Sequence, residues 1–459
     1  MEARTSHHYS PLDPDLGLTL EASEHRTEAV SARKAMNRLS VLVTTSYYWP
    51  EAAGSGPYLT GVAEHLSKRG YDVVVVTGFA HYPDWRSSAR GRVAVSETRA
   101  GGTIRRRWHY VPRAQSAAHR ALYEASLFGF GLTALPARWR PNVILGTCPS
   151  LAGGALASVA ARLFGAPYGL VFQDLMGLAA EQSGVAGGKR VAGLVRKLEL
   201  GLAARADGVA IIAEGFRGYL EEGGVAPDKI HRLRNWTRRV EPTETASQTR
   251  RRLGWGPDDF ICLHGGNMGQ KQGLDNLLDA AALLVPDTGV RIVLAGDGND
   301  RARLRQRAGE LGLANVDFIE LQGPGRWEAI MQASDVLVVN QRASVTDMSL
   351  PSKLTSYFAA ARPVVAAASA GSETAGEIEA AGAGVVVPPA DASALRVAIL
   401  SLKADRGRAN ELGGRGRKHA EAVLSSGRNL QEYEEFLNGL AYGTPGSRIS
   451  KARASRHEE

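Results

Sequence analysis

Short runs dense in valine, isoleucine and leucine recur along this chain, each followed by a stretch whose apolar positions repeat three or four residues apart. The runs at 39–45, 72–77, 142–147, 168–172 and 208–213 form one group. Those at 260–264, 290–295, 316–319, 335–340, 363–367 and 384–387 form a second. Runs without polar alternation read as strands covered on both faces. Strands alternating with helices give right-handed crossovers and a doubly wound parallel sheet. The pattern therefore predicts an α/β fold with two such sheets, and a length of 459 residues calls for two cores. The aperiodic polar stretch Glu241-Pro242-Thr243-Glu244-Thr245-Ala246-Ser247 divides them. The expected organisation is a polar, disordered tail over 1–36 and a first doubly wound domain over 37–240. A ligand-binding domain follows over 241–442, its last helix free to pack back on the first, and then a disordered basic tail over 443–459.

Ligands of open α/β sheets sit at the carboxyl ends of the strands, so the glycine loops found there carry the candidate chemistry. Gly265-Gly266-Asn267-Met268-Gly269-Gln270-Lys271-Gln272-Gly273 opens the second sheet. It leads into a helix with Leu274, Leu277, Leu278 and Ala281 on one face. Leu350-Pro351-Ser352-Lys353 precedes another, with Leu354, Tyr357, Phe358 and Ala361 buried and Pro351 suited to its first turn. Each lysine reads as standing at a helix start, where N–H groups, the helix dipole and an ammonium together hold phosphate. The pair predicts a diphosphate held between Lys271 and Lys353, with Gly266, Asn267, Gly269, Pro351 and Ser352 around it. Gly296-Asp297-Gly298 either lines a base pocket or is simply a tight turn.

In the first half, Gly54-Ser55-Gly56 follows the first strand. It opens a helix with Leu59, Val62, Ala63 and Leu66 on one face and Gly70 as its stop. Glycine there lets a ligand approach the backbone, which makes Gly54, Ser55 and Gly56 a candidate ligand-binding loop of the first domain. Leu59 stands where a dinucleotide fingerprint needs its third glycine, which argues against a nicotinamide enzyme. Asp174 is either a carboxylate facing the cleft or a helix cap. His81, at the same sheet edge, is either an acceptor-side group or a solvated loop histidine.

Charge adds a further partner. The formal net charge is +8, with clusters such as Arg105-Arg106-Arg107. These read either as a solvated basic surface or as attraction to an anionic membrane, worth about 1 kcal/mol per residue near the surface. No nucleic-acid motif accompanies them. Residues 117–139, with Leu122, Leu127, Phe128, Phe130, Leu132 and Leu135 among few charges, are either membrane-facing or a core helix pair. Cys148 and Cys262 stand alone in apolar strands and read as buried thiols in a reducing compartment. No metal-ligand motif is present, so no metal or other cofactor is expected. Without a secretory signal or a run of eighteen apolar residues, the expected location is cytoplasmic, with peripheral contact at the inner face of the plasma membrane.

At these residues the chain resembles glycosyltransferase family 4, and within it the colanic-acid-type subgroup of bacterial surface polysaccharide assembly. The matching pieces are Tyr48-Trp49-Pro50-Glu51 with Gly54 and Gly56; His81-Tyr82-Pro83-Asp84-Trp85; Gln173-Asp174-Leu175; and Asn235-Trp236. They continue with Gly266-Asn267-Met268-Gly269, Lys271 and Gly273; Ala295-Gly296-Asp297-Gly298; and Leu350-Pro351-Ser352-Lys353-Leu354 with Arg362-Pro363-Val364-Val365. The resemblance implies two Rossmann-like domains facing across a cleft, the GT-B architecture. It also implies a nucleotide-diphosphate sugar held mainly by the second domain and retention at the anomeric carbon. Lys271, Lys353 and Asp174 would carry catalysis, with no obligatory metal. Two departures stand out. Many relatives carry two glutamates seven residues apart; Met348 and Ser356 occupy that spacing here, leaving Ser356 on the donor side and Asp347 as the nearby carboxylate. Val171 and Phe172 stand where some relatives have a histidine before the Gln-Asp pair. The expected function is transfer of a sugar to an acceptor hydroxyl, on a lipid-linked glycan of cell-surface polysaccharide. A nucleotide-sugar 2-epimerase or a non-catalytic nucleotide-sugar-binding protein are the rivals.

Overall fold

The computed structural model describes residues 39–51, 54–82, 84–113, 116–178, 188–238, 240–285, 289–343 and 353–443. The expected tail over 1–36, the tail over 443–459 (Gly443 excepted), Pro351, Ser352 and the Asp347–Met348 pair lie outside these residues.

The first sheet holds β1 (Ser40–Thr44), β2 (Asp72–Gly78), β3 (Ala94–Arg99), β4 (Gly102–Arg107), β5 (Val143–Cys148), β6 (Tyr168–Phe172), β7 (Gly208–Ile211) and β8 (Ile230–Arg232). Their order is β3-β4-β2-β1-β5-β6-β7-β8. The helices are α1 (Gly56–Lys68), α2 (Ala117–Leu132), α3 (Leu151–Phe164), α4 (Gly188–Arg205) and α5 (Phe216–Glu222). The second sheet holds β9 (Phe260–Asn267), β10 (Val290–Asp297), β11 (Val316–Ile319), β12 (Val336–Asn340), β13 (Val364–Ala367) and β14 (Gly384–Val387), in the order β11-β10-β9-β12-β13-β14. Its helices are α6 (Ala246–Leu253), α7 (Asp275–Leu284), α8 (Arg301–Glu310), α9 (Arg326–Ala333), α10 (Lys353–Ala359), α11 (Glu373–Ala381), α12 (Ala392–Ala404) and α13 (Arg406–Ala422), and α14 (Ser426–Ala441) closes the described chain. In both sheets the first strand lies inside, with later strands added to either side. The topological switch therefore falls beside β1 in one and beside β9 in the other, where a cleft opens above the carboxyl ends. All eleven runs read as strands are strands.

Three strands escaped the hydrophobic pattern. β3 and β4 form an antiparallel hairpin on an otherwise parallel sheet, turned at Ala100 and Gly101, both with positive φ (48° and 89°). The inward positions of β4 are Gly102, Ile104 and Arg106, so an arginine breaks the apolar signal. Arg106 is buried and its Nε lies 2.6 Å from a Glu97 carboxylate oxygen on β3. The middle arginine of the cluster is thus a paired core residue, while its neighbours are half-exposed. The three-residue β8 is too short to carry a period.

Helix α14 crosses back to the first domain. Gly169 on β6 and Gly208 on β7 leave room for Phe436: a Cβ on either would lie 2.7 or 2.8 Å from its ring. Phe436 is buried together with Tyr433 and Leu437 against the first sheet. Replacing Phe436 by Ala is expected to cost about 3–5 kcal/mol through lost burial and a residual cavity, read as a lower urea midpoint by tryptophan fluorescence. An unchanged midpoint would remove α14 from this core.

Candidate functional site

The pairing of β9 and β10 runs past the end of the apolar run, matching Gly265 with Ala295, Gly266 with Gly296 and Asn267 with Asp297. Gly296 has φ 144°, and a Cβ there would lie 2.0 Å from the Gly266 carbonyl oxygen. Only glycine permits this approach. The Met268 N–H then donates to the Asp297 carbonyl at 2.8 Å. Gly266, Asn267, Gly269, Gly296, Asp297 and Gly298 therefore share one rim above the second sheet.

Lys271 does not stand at an α-helix start. It is exposed within a single 3-10 turn, Gln270–Gln272, which ends in left-handed Gly273, and α7 begins only at Asp275. Hydrogen bonds from Arg303 and Arg307 hold the Asp275 carboxyl down at about 2. The positive end of α7 already faces its own carboxylate. What Lys271 presents is a mobile-stemmed ammonium on a glycine-bounded turn, rather than a helix terminus.

Lys353 is the first described residue of α10. Its Nζ lies 3.5 Å from His264 Nε2 and donates to Gln272 Oε1 at 3.3 Å. The two predicted loops therefore face each other, joined by this lysine. His264 is fully buried at the end of β9, with Nδ1 3.2 Å from the Val338 carbonyl oxygen. With Nδ1–H donating there, the Nε2 lone pair points to Lys353. Burial, then the Lys353 charge, hold the His264 imidazole well below its usual range, so it stays neutral. Burial alone brings the Lys353 ammonium down to about 7. Among the described residues no carboxylate pairs with it. Tyr357 seats α10 on the same strand, its hydroxyl accepting the Gly265 N–H at 2.9 Å. The hydroxyl of Ser356 is turned back onto the Lys353 carbonyl at 2.9 Å, within its own helix.

Across the cleft, Asp174 is half-buried and its Oδ1 accepts the N–H of Leu175 at 2.9 Å. Burial raises its pKa, and the Lys271 ammonium opposes that rise, so these two expected catalytic residues feel each other from opposite domains. Glu199 holds the Asp174 segment from below. Its buried carboxylate accepts Met176 N–H at 2.7 Å, Gly177 N–H at 3.1 Å and the Tyr219 hydroxyl at 2.8 Å. Beside it, the Gln173 and Asn235 amides bond reciprocally at 2.8 and 3.1 Å.

Glu51, shortly before the Gly54–Gly56 loop, is a buried carboxylate that ties the segment after β1 to the loop after β2: it accepts Tyr48 N–H at 3.1 Å, His81 N–H at 2.8 Å and Tyr82 N–H at 3.0 Å. Gly54 has φ 65° against the Tyr82 ring, Ser55 occupies the N-cap of α1 and Gly56 begins the helix. His81 departs from the solvated-loop reading. It is buried, with Nδ1 3.1 Å from the Phe79 carbonyl and Nε2 3.2 Å from the Tyr123 hydroxyl, and burial lowers its pKa to about 4. It is an internal brace of the acceptor side; half-buried Tyr47 and Tyr82 stand outside it. Glu51, Glu199, His264 and Tyr357 are the residues sequence reasoning did not assign. His264 had one signal, an imidazole ending an apolar strand.

Profiles of known families match both halves: Glycosyl transferase 4-like domain over residues 53–236 and Glycosyl transferases group 1 over residues 246–419. The chain is 31% identical over 345 residues to the putative colanic acid biosynthesis glycosyl transferase WcaI of Escherichia coli K12, covering 73% of this chain and 84% of that one. Among solved structures it is similar to sucrose-phosphate synthase from Thermosynechococcus elongatus (TM-score 0.69, 19% identity, 89% of this chain and 100% of that one). It is also similar to Anabaena HepE in complex with UDP (TM-score 0.65, 15% identity, 88% and 100%) and to WaaG, a glycosyltransferase of lipopolysaccharide biosynthesis (TM-score 0.62, 15% identity, 87% and 100%). At these identities the structural likeness establishes the shared two-domain fold.

Lys353, poised near neutrality among neutral partners, predicts that anion binding takes up a proton. A bound anion favours the ammonium, so the pKa of the complex lies above 7 and affinity weakens as pH rises through 7 toward that higher value. The loss is at most about tenfold per pH unit. Calorimetric titration with pyrophosphate at pH 6.5 to 8.5 checks this against Lys353→Arg, whose charge does not titrate. Parallel pH profiles for the two proteins would discount the lysine.

Proposed function

The chain belongs to the group 1 glycosyltransferases, with a glycosyltransferase 4-like first domain, and from that premise we propose that it moves a sugar with retention from a nucleotide-diphosphate donor to a hydroxyl of a lipid-linked glycan in surface polysaccharide assembly. One observation carries the donor assignment. A buried-edge ammonium, Lys353, bridges the end of β9 and the Gly269–Gly273 loop with neutral partners, beside the exposed Lys271. Two ammonium groups on neighbouring loops, with neutral partners around Lys353, suit a multiply charged anion of diphosphate size.

The chemistry follows from charge. As the sugar–oxygen bond breaks, negative charge grows on the departing diphosphate, and groups already aimed there stabilise the transition state without rearranging. Lys353 and Lys271 supply that charge, with N–H groups of the glycine rim beside them. These lysines, rather than a divalent cation, are proposed to carry the leaving group. Asp174 faces Lys271 from the first domain and is assigned to the sugar side of the gap. Retention brings the acceptor hydroxyl in on the face the diphosphate leaves, over the Gly54–Gly56 loop, where a departing phosphate oxygen can take its proton. The bound nucleotide of HepE makes a uridine donor the first to try, and the similarity to WcaI supports a surface-polysaccharide acceptor.

Thermal-shift screening with UDP, GDP, ADP and their sugars should identify the base by the largest stabilisation. With that donor, Lys271→Ala and Lys353→Ala are each expected to reduce turnover about 10²–10³-fold while the melting temperature of the unliganded protein holds. Transfer at the parental rate by both variants would overturn the diphosphate assignment, and a product whose anomeric proton signal is inverted would overturn retention.

A further inference from the structure

The charge of this protein is unevenly placed. Residues 81–140 contain eleven arginines against Asp84, Glu97 and Glu124, a balance of +8 that equals the whole chain's. Two of the three acids are spent: Glu97 on Arg106, and Glu124 on the Ser150 hydroxyl and the Ala152 N–H that open α3.

In the midst of this segment lies α2. Its inner face, Tyr123, Leu127 and Gly131, is buried, with Gly131 set against Leu156 of α3. A helix packed on one side of a domain normally turns charged or polar residues outward. Here the outward residues include Leu122 (52% exposed), Phe130 (37%) and Leu132 (36%), with Ala118, Ala121, Ala125 and Gly129 between them and His119 as the exposed polar member. Trp108 continues the patch, its ring 5.1 Å from that of Phe130, and Val93 is 60% exposed beside a shallow hollow that Trp108, Phe130 and Arg90 also line. Arginines border it: exposed Arg90 and Arg92; Arg107, bonded to the Thr133 hydroxyl and carbonyl at the carboxyl end of α2; and exposed Arg113 before its N-cap. So α2 packs on α3 by one face and, unlike an ordinary solvated helix, presents a largely apolar face on the other.

We propose that the outer face of α2, with Trp108 and Val93, is the surface by which this protein docks on an anionic lipid bilayer. Apolar side chains enter the headgroup boundary while the arginine border meets lipid phosphate. The one-signed border disfavours a second copy of the chain, since a two-fold contact would set arginine against arginine. The location fits the task. Tyr123, on the inner face of α2, packs against His81 and Trp85 beneath the acceptor loop, so docking brings lipid next to the acceptor side. The inference deepens the lipid-linked acceptor reading, yet its test reads membrane attachment alone and can fail while sugar transfer stands.

Flotation of the full chain with vesicles of phosphatidylcholine, alone or mixed with phosphatidylglycerol, is the experiment. The parent should float with the anionic vesicles and far less with the neutral ones. Leu122→Ser with Phe130→Ser should weaken binding to anionic vesicles about tenfold or more, and Leu122→Ser alone, at the most exposed of these positions on α2, should weaken it in the same direction. Arg90→Glu with Arg113→Glu should remove most of the preference for anionic lipid, about fivefold per arginine. Thermal stabilisation by the nucleotide should be unchanged in all three. A parent left in the soluble fraction, or variants that float as it does, would overturn the proposal. So would a parent that elutes as a dimer and becomes monomeric on Leu122→Ser, which reassigns the face to self-association.

Discussion

An ammonium with no counter-charge among the described residues is the constraint around which the second domain is arranged. Burying an unpaired charge is costly, and proteins usually answer by pairing it or by shifting its pKa. Lys353 takes the second course, brought down to about 7 by burial, with a neutral imidazole and an amide oxygen as its contacts. Pairing it with a carboxylate would hold it more comfortably and would also spend it. His264 suits the opposite purpose: its Nδ1 is committed to the Val338 carbonyl, so its other nitrogen can only accept, and its own burial keeps a second positive charge from forming there. The lysine is thereby oriented and left electrostatically hungry for an anion.

The first domain solves a different problem, that of keeping long loops in place above a sheet. It uses the same device three times. Glu51, Glu124 and Glu199 are carboxylates with little or no solvent contact on the oxygens that matter, and each accepts backbone N–H groups from a loop at the carboxyl edge. Burial pushes all three pKa values up, while these N–H donors pull them back. A carboxylate has room for several such bonds, and each fixes a peptide unit rather than a side chain. Tyr48 and the His81–Tyr82 segment, the start of α3 and the Met176–Gly177 turn after Asp174 are therefore each held by a carboxylate beneath them.

The sheets and the glycine loops at their edges were legible because their signals are local. Strands covered on both faces are uninterrupted apolar runs, and a glycine turn at a strand's end announces itself by composition. β3 and β4 were not legible because the inward residue Arg106 owes its burial to Glu97 on the neighbouring strand, a partner that no window along one strand contains. The α-helix start was misplaced at Lys271 because Gly269 and Gly273 allow a 3-10 turn between them, and the apolar face begins only at Leu274. His81 was visible as a candidate, but its environment was not: the Tyr123 hydroxyl that occupies it comes from a helix some forty residues away in sequence. Charge type is readable from the chain, whereas whether a charge is spent depends on tertiary partners.

Those tertiary partners also join the two halves at the lysine itself. Helix α10 carries Lys353 at its first described position, and its Thr355 carbonyl accepts the Thr237 hydroxyl at 3.0 Å from the segment linking the domains. The Tyr58 hydroxyl of α1 bonds to the Thr355 side chain, and α1 is the helix that Gly56 begins. A few residues away, Arg232 at the end of β8 reaches Glu373 and Glu377 of α11 at 3.3 and 3.4 Å. The donor-side lysine and the acceptor-side loop thus sit at opposite ends of a short rigid path, α10 to Thr355 to Tyr58 to α1. A tilt of one domain on the other would alter the lysine's distance to His264 and Gln272, because α10 is tied to both.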